Sequence, residues 1–323
     1  MEGWPASPAS EAHVEGAAYE GQLVSFSVVA LPEPPGAERI REAGLVLVFL
    51  VVLPLWAAVM AWRNAARGKA DWNGALRLGI FCFGVTAAMG LLVSHHIAAV
   101  EGLVLWKVIR EASAAVLTLS VLYLAFEPYV RRRMPRSLVS WNRLLEGRWR
   151  DALAGADILA GLAAYAAVSA TDVSMAMAGQ LGADRPGLAV SVSQWSAWAL
   201  LNLLIAVGVG LSYLLVFAVL RFLLRRTWLA AVTLAVILSL AAPIGHRYAA
   251  MYCALAFLLA RFGLVAAMAL LCATRLMASM PLTTDWSRWY AWQGICAVLV
   301  LLTLGAYAFW TNLGGRPLWR EED

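Results

Sequence analysis

Five charged side chains lie inside long apolar stretches, where an ionised group is costly if lipid surrounds it. They are Arg110, Glu111, Asp157, Asp172 and Arg261. On insertion scales a charge at a helix centre costs about 2.5–3.5 kcal/mol, so such groups normally face a partner or water. One interpretation is an ion or proton path through Arg261 and Asp172. The other is a buried pair that fixes helix packing, which we favour because transport relays usually use more intramembrane acids.

Three histidines at the ends of apolar stretches are candidate ligands for a metal ion or haem. His95 and His96 follow the second such stretch, and His246 follows the sixth. Imidazoles commonly bind zinc and haem iron. Adjacent helical residues point about 100° apart, however, and no two histidines here have the i,i+3 or i,i+4 spacing that would aim both at one ion. We therefore expect interfacial histidines and no cofactor.

Lipid must surround the elements that position these residues, because the chain is too apolar for a soluble fold. Of 323 residues, 62% are apolar and 14% are charged, against about 45–50% and 25% in soluble domains. A soluble globule of this length could not hide so much apolar surface. The four cysteines lie within apolar stretches and are typical of small core residues. A soluble enzyme, a disordered chain and a disulfide-rich secreted domain are excluded.

A bilayer core needs about 20 apolar residues per helix, and this length predicts an all-α, polytopic transmembrane helix bundle of about eight spans. The predicted spans are Ala43–Trp62, Ala75–Ser94, Leu103–Phe126, Ala156–Met177, Trp195–Leu220, Trp228–Gly245, Ala249–Thr274 and Ala291–Trp310. The bundle occupies residues 43–310. Residues 1–42 form a polar tail in which alternation over Leu23–Val29 favours a short strand, and residues 311–323 form a second short tail.

The distribution of basic residues predicts the orientation of the spans. Lysine and arginine accumulate in short cytoplasmic loops. With eight spans, sixteen basic residues fall on one side and six on the other. The richer side is therefore expected to face the cytoplasm from a bacterial inner membrane, with both termini extracytoplasmic. Most tryptophans fall at predicted span ends, which agrees with their preference for the headgroup level.

One cytoplasmic segment, 136–150, has the pattern of an amphipathic helix at the membrane surface. Leu138, Trp141, Leu145 and Trp149 recur at three- and four-residue spacing, which gathers them on one face. The arginines of this region are Arg131, Arg132, Arg133, Arg143, Arg148 and Arg150. We expect them to contact anionic headgroups, and Glu127 to pair with Arg131. Alternatively, the segment is a long loop whose arginines only set the topology; neither interpretation favours a nucleic-acid partner.

The run from Glu127 to Arg148 contains Glu127-Pro128-Tyr129, three consecutive arginines, Ser140-Trp141 and Gly147-Arg148. Trp62-Arg63-Asn64 and the stretch Thr311–Leu318 accompany it. Together these residues resemble the membrane region of bacterial receptor-like serine/threonine protein kinases, over roughly Tyr19–Leu318. The resemblance implies a multi-helix membrane region that, in the whole protein, follows a cytoplasmic kinase domain, a transmembrane anchor and an extracytoplasmic segment.

The residues that phosphoryl transfer needs do not occur in this sequence. A kinase uses a glycine-rich loop, a lysine on the phosphates, a His-Arg-Asp loop and an Asp-Phe-Gly magnesium site. The lysines here are Lys69 and Lys107, and neither stands in such a context. We therefore expect a non-catalytic anchor or sensor that signals to a cytoplasmic kinase or pairs with a second copy of itself. The alternatives are a small-solute or ion transporter using Arg261 and Asp172, and a haem- or metal-binding membrane subunit.

Overall fold

The computed structural model describes residues 12–19, 22–30, 51–94, 96, 101–177, 191–241, 246–278, 280, 283 and 285–314. The chain divides into two units, Met1–Leu47 and Val48–Asp323. In the first, strands β1 (Ala12–Tyr19) and β2 (Gln22–Ala30) pair antiparallel, with Ala12 opposite Ala30 and Tyr19 opposite Gln22. The alternating stretch Leu23–Val29 lies within β2.

The described residues of the second unit form ten helices. They are α1 (Leu53–Ala66), α2 (Trp72–Val93), α3 (Glu101–Arg133), α4 (Arg136–Leu145), α5 (Ala152–Met177), α6 (Val192–Leu224), α7 (Thr227–Ala241), α8 (His246–Arg261), α9 (Leu264–Ala278) and α10 (Ala291–Leu313). Five of them, α2, α3, α5, α6 and α10, are long and apolar enough to cross a membrane, and α7, α8 and α9 are shorter apolar helices. The protein is a multi-pass helical membrane protein, and the described helices do not confirm the predicted count of eight spans.

Helix α3 is longer than predicted and contains a proline, Pro128, in its interior. The third span was expected to end at Phe126, yet the helix continues through Pro128 to Arg133. Pro128 has no N–H, so the carbonyl of Leu124 loses its helical donor. The side-chain amide of Asn64, at the end of α1, donates to the carbonyls of Leu124 and Ala125 at 2.9 Å each. Helix α1 thus supplies the donor that the proline removes.

The prediction of one seventh span, Ala249–Thr274, is wrong, since the chain breaks at Phe262 and Gly263. The N–H groups of both residues donate to the carbonyl of Leu258 at 2.8 Å, and this closes α8. Gly263 has φ +114°, a conformation that side chains rarely adopt. A Cβ at this position would lie 2.7 Å from the Cα and the carbonyl oxygen of Ser137 in α4. The stretches on both sides of the break are apolar, so a scan for apolar stretches of membrane-spanning length could not detect it.

After the break, α9 runs through the centre of the bundle, antiparallel to α6. Its first turns lie beside Gly210, which is close to Leu264 and Met268. Its far end, at Leu276, packs in a cluster with Trp195 at the start of α6 and with Ala297 of α10. Most of α9 is buried, and small residues allow the close approach: a Cβ on Gly161 of α5 would meet the backbone of α9.

One end of the bundle, which we call the basic end, gathers the α1–α2 connection, the end of α3, α4 and the α6–α7 connection. Helix α10 also ends here: Gly155 of α5 packs against Ala308 and Thr311, and the Tyr307 hydroxyl donates to the carbonyl of Trp149 at 2.6 Å. Among the described helices, α1 therefore begins at the end of the bundle opposite to the one where α10 ends, because the break at Gly263 adds a reversal that the eight-span prediction lacked. The predicted placement of the two tails lies outside the described residues.

Candidate functional site at the basic end of the bundle

Helix α4 connects several helices at the basic end. It contacts α2, α3, α5, α8 and α9. Leu138 and Trp141 are buried, at 1% and 6% exposed, so the apolar face packs on protein and not on lipid. The helix ends at Leu145, and Trp149 lies beyond it in a turn, 60% exposed. The predicted membrane-surface helix over 136–150 is corrected to a shorter helix whose apolar face is part of the bundle.

Two polar contacts hold α4 against the start of α5. The Ser140 hydroxyl donates to Oδ2 of Asp157 at 2.5 Å, and both side chains are buried. Nη1 of Arg143 donates to Oδ2 of Asp151 at 2.8 Å. Oδ1 of Asp151 accepts the N–H groups of Leu153 and Ala154, which caps α5. Asp157, predicted as an intramembrane charge, therefore lies on a serine of α4; that serine was not foreseen as its partner.

A second polar cluster lies where α1, α2 and α3 meet. Glu127 is fully buried, and its Oε1 lies 3.1 Å from Nε of the exposed Arg131, so the expected ion pair is present. Neither oxygen of Glu127 accepts a hydrogen bond from the described residues. One turn earlier, the Tyr123 hydroxyl donates to Oδ2 of Asp71 at 2.8 Å, while Oδ1 of Asp71 caps α2 through the N–H of Gly74. An aspartate just before an apolar run is the one sequence signal that could have found this contact.

The other predicted charges lie on three different helices, α3, α5 and α8. Arg110 and Glu111 are adjacent on α3, the first exposed and the second half-buried, with Nη2 and Oε1 3.7 Å apart. Arg261 is the last residue of α8 and is exposed, because the helix breaks there and does not carry it through the membrane. The backbone of Asp172 lies fifteen residues beyond Asp157 on α5, or about 22 Å further along the helix. The side chain of Asp172 lies outside the described residues.

The predicted cytoplasmic arginines lie where α3 and α4 present their surfaces to solvent. Arg131, Arg132 and Arg133 are exposed in the last turn of α3. Arg148 is exposed in the turn after α4, with Nε 3.3 Å from Oε2 of Glu146. The guanidinium of Arg150 lies over the ring of Trp310 in α10 at 5.3 Å. These positions form a cationic surface around α4.

His96 lies between two acceptors at the opposite end of the bundle. Its Nδ1 is 2.9 Å from Oε1 of Glu101, and its Nε2 is 3.0 Å from the carbonyl of Leu91. The hydrogen bond to Glu101 is the main cause that raises the pKa of His96, followed by the bond to Leu91. Within the described residues no group of three or more His, Cys, Asp or Glu side chains could hold a metal ion. His95 and the side chain of His246 lie outside the described residues.

A cavity of about 510 Å³ opens beside α4. Its lining comes from α2, α4, α5, α6, α9 and α10, together with Trp149 in the turn after α4. Trp141 and Leu145 supply the wall on the α4 side. Arg77 of α2 also lines it. Helix α4 therefore lines the cavity and also bonds to Asp151 and Asp157.

No protein-family model, curated protein or solved structure matches this chain. The run Glu127–Arg148, which suggested the kinase-type membrane region, forms the end of α3, all of α4 and the turn after it. That run therefore coincides with the part of the basic end where the contacts described above converge.

Proposed function

We propose that this protein is a non-catalytic membrane anchor and sensor that transmits packing changes in its helix bundle through α4 to a cytoplasmic partner. The observation that carries the proposal is the double attachment of α4. Ser140 bonds to Asp157 of α5, and Ser137 lies against Gly263 at the α8–α9 break. The arginines around the same helix that are exposed, such as Arg136 and Arg148, are accessible to a partner.

Close packing allows α4 to transmit a displacement of the helices around it. Interiors pack as densely as organic crystals, so helices shift between discrete arrangements and do not compress gradually. A Cβ at Gly263 would overlap Ser137, which means that α4 touches the α8–α9 turn without a gap. A displacement of α9 relative to α5 must therefore move α4 or break its contacts with Asp157 or Gly263.

The partner and the orientation follow from charge and from the resemblance. The basic end fits the cytoplasmic side of a bacterial inner membrane, where positive loops are retained and anionic headgroups are abundant. In this orientation α10 ends on the cytoplasmic side. The resemblance to membrane regions of serine/threonine kinases points to a cytoplasmic protein kinase as the partner, with a second copy of this chain as the alternative. Arg261 is separated from the far part of α5, and this separation does not support a transport path through Asp172.

The proposal is tested by reversing one exposed charge on α4. Arg136→Glu is expected to change serine and threonine phosphorylation in cells that express the protein, as measured by quantitative phosphoproteomics. Arg226→Glu, at a site in the α6–α7 turn of the same basic end that is also exposed, is the matched control and is expected to change little. Equal effects of both variants, or phosphate transfer from ATP by the purified protein alone, would contradict the proposal.

A further inference from the structure

The geometry points to a lipid site: the cavity beside α4 binds one acyl chain of an anionic lipid from the surrounding bilayer, with the headgroup at Arg77. This inference deepens the proposed function by naming the class of ligand. Binding depends only on the cavity, whereas the link from binding to signalling rests on the function proposed above.

The cavity has the size and the walls of a site for a hydrocarbon chain. Its volume of about 510 Å³ lies within the range of about 300–1,000 Å³ typical of ligand sites. The side chains that line its interior include Phe81, Trp141, Ile158, Val207, Met268 and Leu304. Because these come from six helices, the cavity lies between helices of the bundle, and an apolar chain would displace no polar partner from it.

Arg77 is the charged residue of the lining, and its position selects an anionic headgroup. It lies five residues after the first residue of α2, or about 7.5 Å along the helix. Among the described residues no carboxylate forms an ion pair with it. The residue is exposed, so its guanidinium is accessible to the headgroup of a lipid whose chain enters the cavity. A phosphate group accepts hydrogen bonds from a guanidinium in bidentate geometry.

Two tryptophans support an amphiphilic ligand at the same site. Trp149 is exposed and lines the cavity, and indoles prefer the headgroup level of a membrane. Trp141 is buried and lines the cavity, and its indole N–H has no acceptor among the described residues. An ester oxygen of a lipid would supply the acceptor that a buried N–H normally has.

A larger cavity elsewhere in the bundle shows what the site beside α4 adds. It measures about 940 Å³ and lies between α1, α3 and α6, with Pro54, Leu119 and Val209 in its lining and no charged residue among the side chains that line it. Hydrocarbon can fill it, but nothing there distinguishes one headgroup from another. The smaller cavity combines an apolar interior with a cation and lies against α4.

The experiment is native mass spectrometry of the full chain released from vesicles that contain phosphatidylglycerol and phosphatidylethanolamine. We expect one phosphatidylglycerol retained per chain. Arg77→Gln is expected to lower retention by about tenfold, since one charge-assisted hydrogen bond is worth about that factor. Arg63→Gln, an exposed arginine of the same end that does not line the cavity, is the matched control and is expected to retain the lipid.

A second pair of variants tests the chain-binding part of the site. Cys272→Trp fills the cavity and is expected to abolish retention, whereas Cys253→Trp, at an exposed cysteine of α8 outside the lining, is expected to preserve it. Equal retention of phosphatidylethanolamine, loss with Arg63→Gln as great as with Arg77→Gln, or retention by Cys272→Trp would overturn the lipid site. Loss of lipid by Arg77→Gln without any change in cellular phosphorylation would leave the lipid site standing and contradict its link to signalling.

Discussion

At the scale of single residues, Asn64 compensates for a proline that lies sixty-four positions further along the chain. Its amide donates to the carbonyl of Leu124, which Pro128 leaves without a helical donor. Asn64→Ala is expected to destabilise the fold by about 1–3 kcal/mol, the cost of an unsatisfied buried group. In a Pro128→Ala background the same substitution is expected to cost much less, because the alanine N–H restores the donor. Thermal unfolding in detergent measures both, and equal costs in the two backgrounds would disprove the assignment.

His96 gives the second prediction at this scale. Its folded pKa is raised, so the bonds to Glu101 and Leu91 stabilise the fold below the unfolded value of about 6.5 and are lost as pH rises through the folded pKa. The thermal unfolding midpoint of the wild type is expected to fall as pH rises through the folded pKa. The variant His96→Ala is expected not to show this fall. Midpoints recorded between about pH 5 and 9 test this. A pH profile unchanged in the variant would show that another group is responsible.

Residue contacts within one helical turn could be predicted from the sequence, and distant ones could not. The pairing of Glu127 with Arg131 follows from i,i+4 spacing on a helix. The partners of Asn64 and Ser140 lie 60 and 17 residues away, so they depend on which helices pack together. Asp157 was identified as costly, but only the packing of α4 on α5 identifies what satisfies it.

At the scale of elements, the α8–α9 break depends on one glycine. Gly263→Ala would force a side chain into φ +114° and against the backbone of Ser137. We expect a loss of roughly 1–3 kcal/mol from backbone strain alone, with more from the overlap. Gly68→Ala is the control: it also has positive φ, +61°, but a Cβ there meets nothing within 4 Å. Denaturant unfolding that gives the two variants equal losses would argue against the contact with α4.

Apolar length predicted where helices lie better than where they stop. The spans that became α2, α5, α6 and α10 contain no residue that forces a break, so their positions follow from hydropathy alone. Helix α3 continues past the predicted end at Phe126 and through Pro128, where Asn64 supplies the missing donor. Gly263 produces a helix end that hydropathy could not show. The face that Trp141 occupies is apolar as expected, but a helix pattern does not distinguish lipid from protein as the neighbour.

At the scale of the whole molecule, one extra reversal changes which ends of the described helices lie at the same end of the bundle. Arg275, in the last turn of α9, and Arg288, before α10, move from the predicted cytoplasmic side to the opposite end. The arginines around α3, α4 and the α6–α7 turn keep their common end. The basic end therefore remains the surface to which a signal is proposed to pass, although the described helices do not confirm the span count that first predicted it.

The side of the membrane on which α10 ends tests this account most directly. Single cysteines are introduced as Lys69→Cys, Ser287→Cys and Asn312→Cys, all at exposed positions, after the four native cysteines are replaced by alanine. Intact cells are treated with a membrane-impermeant maleimide. We predict that Ser287→Cys reacts, whereas Lys69→Cys and Asn312→Cys react only after permeabilisation. Reaction of Asn312→Cys in intact cells, with Lys69→Cys protected, would contradict the reversal at Gly263 and the gathering of α4 and α10 at one end.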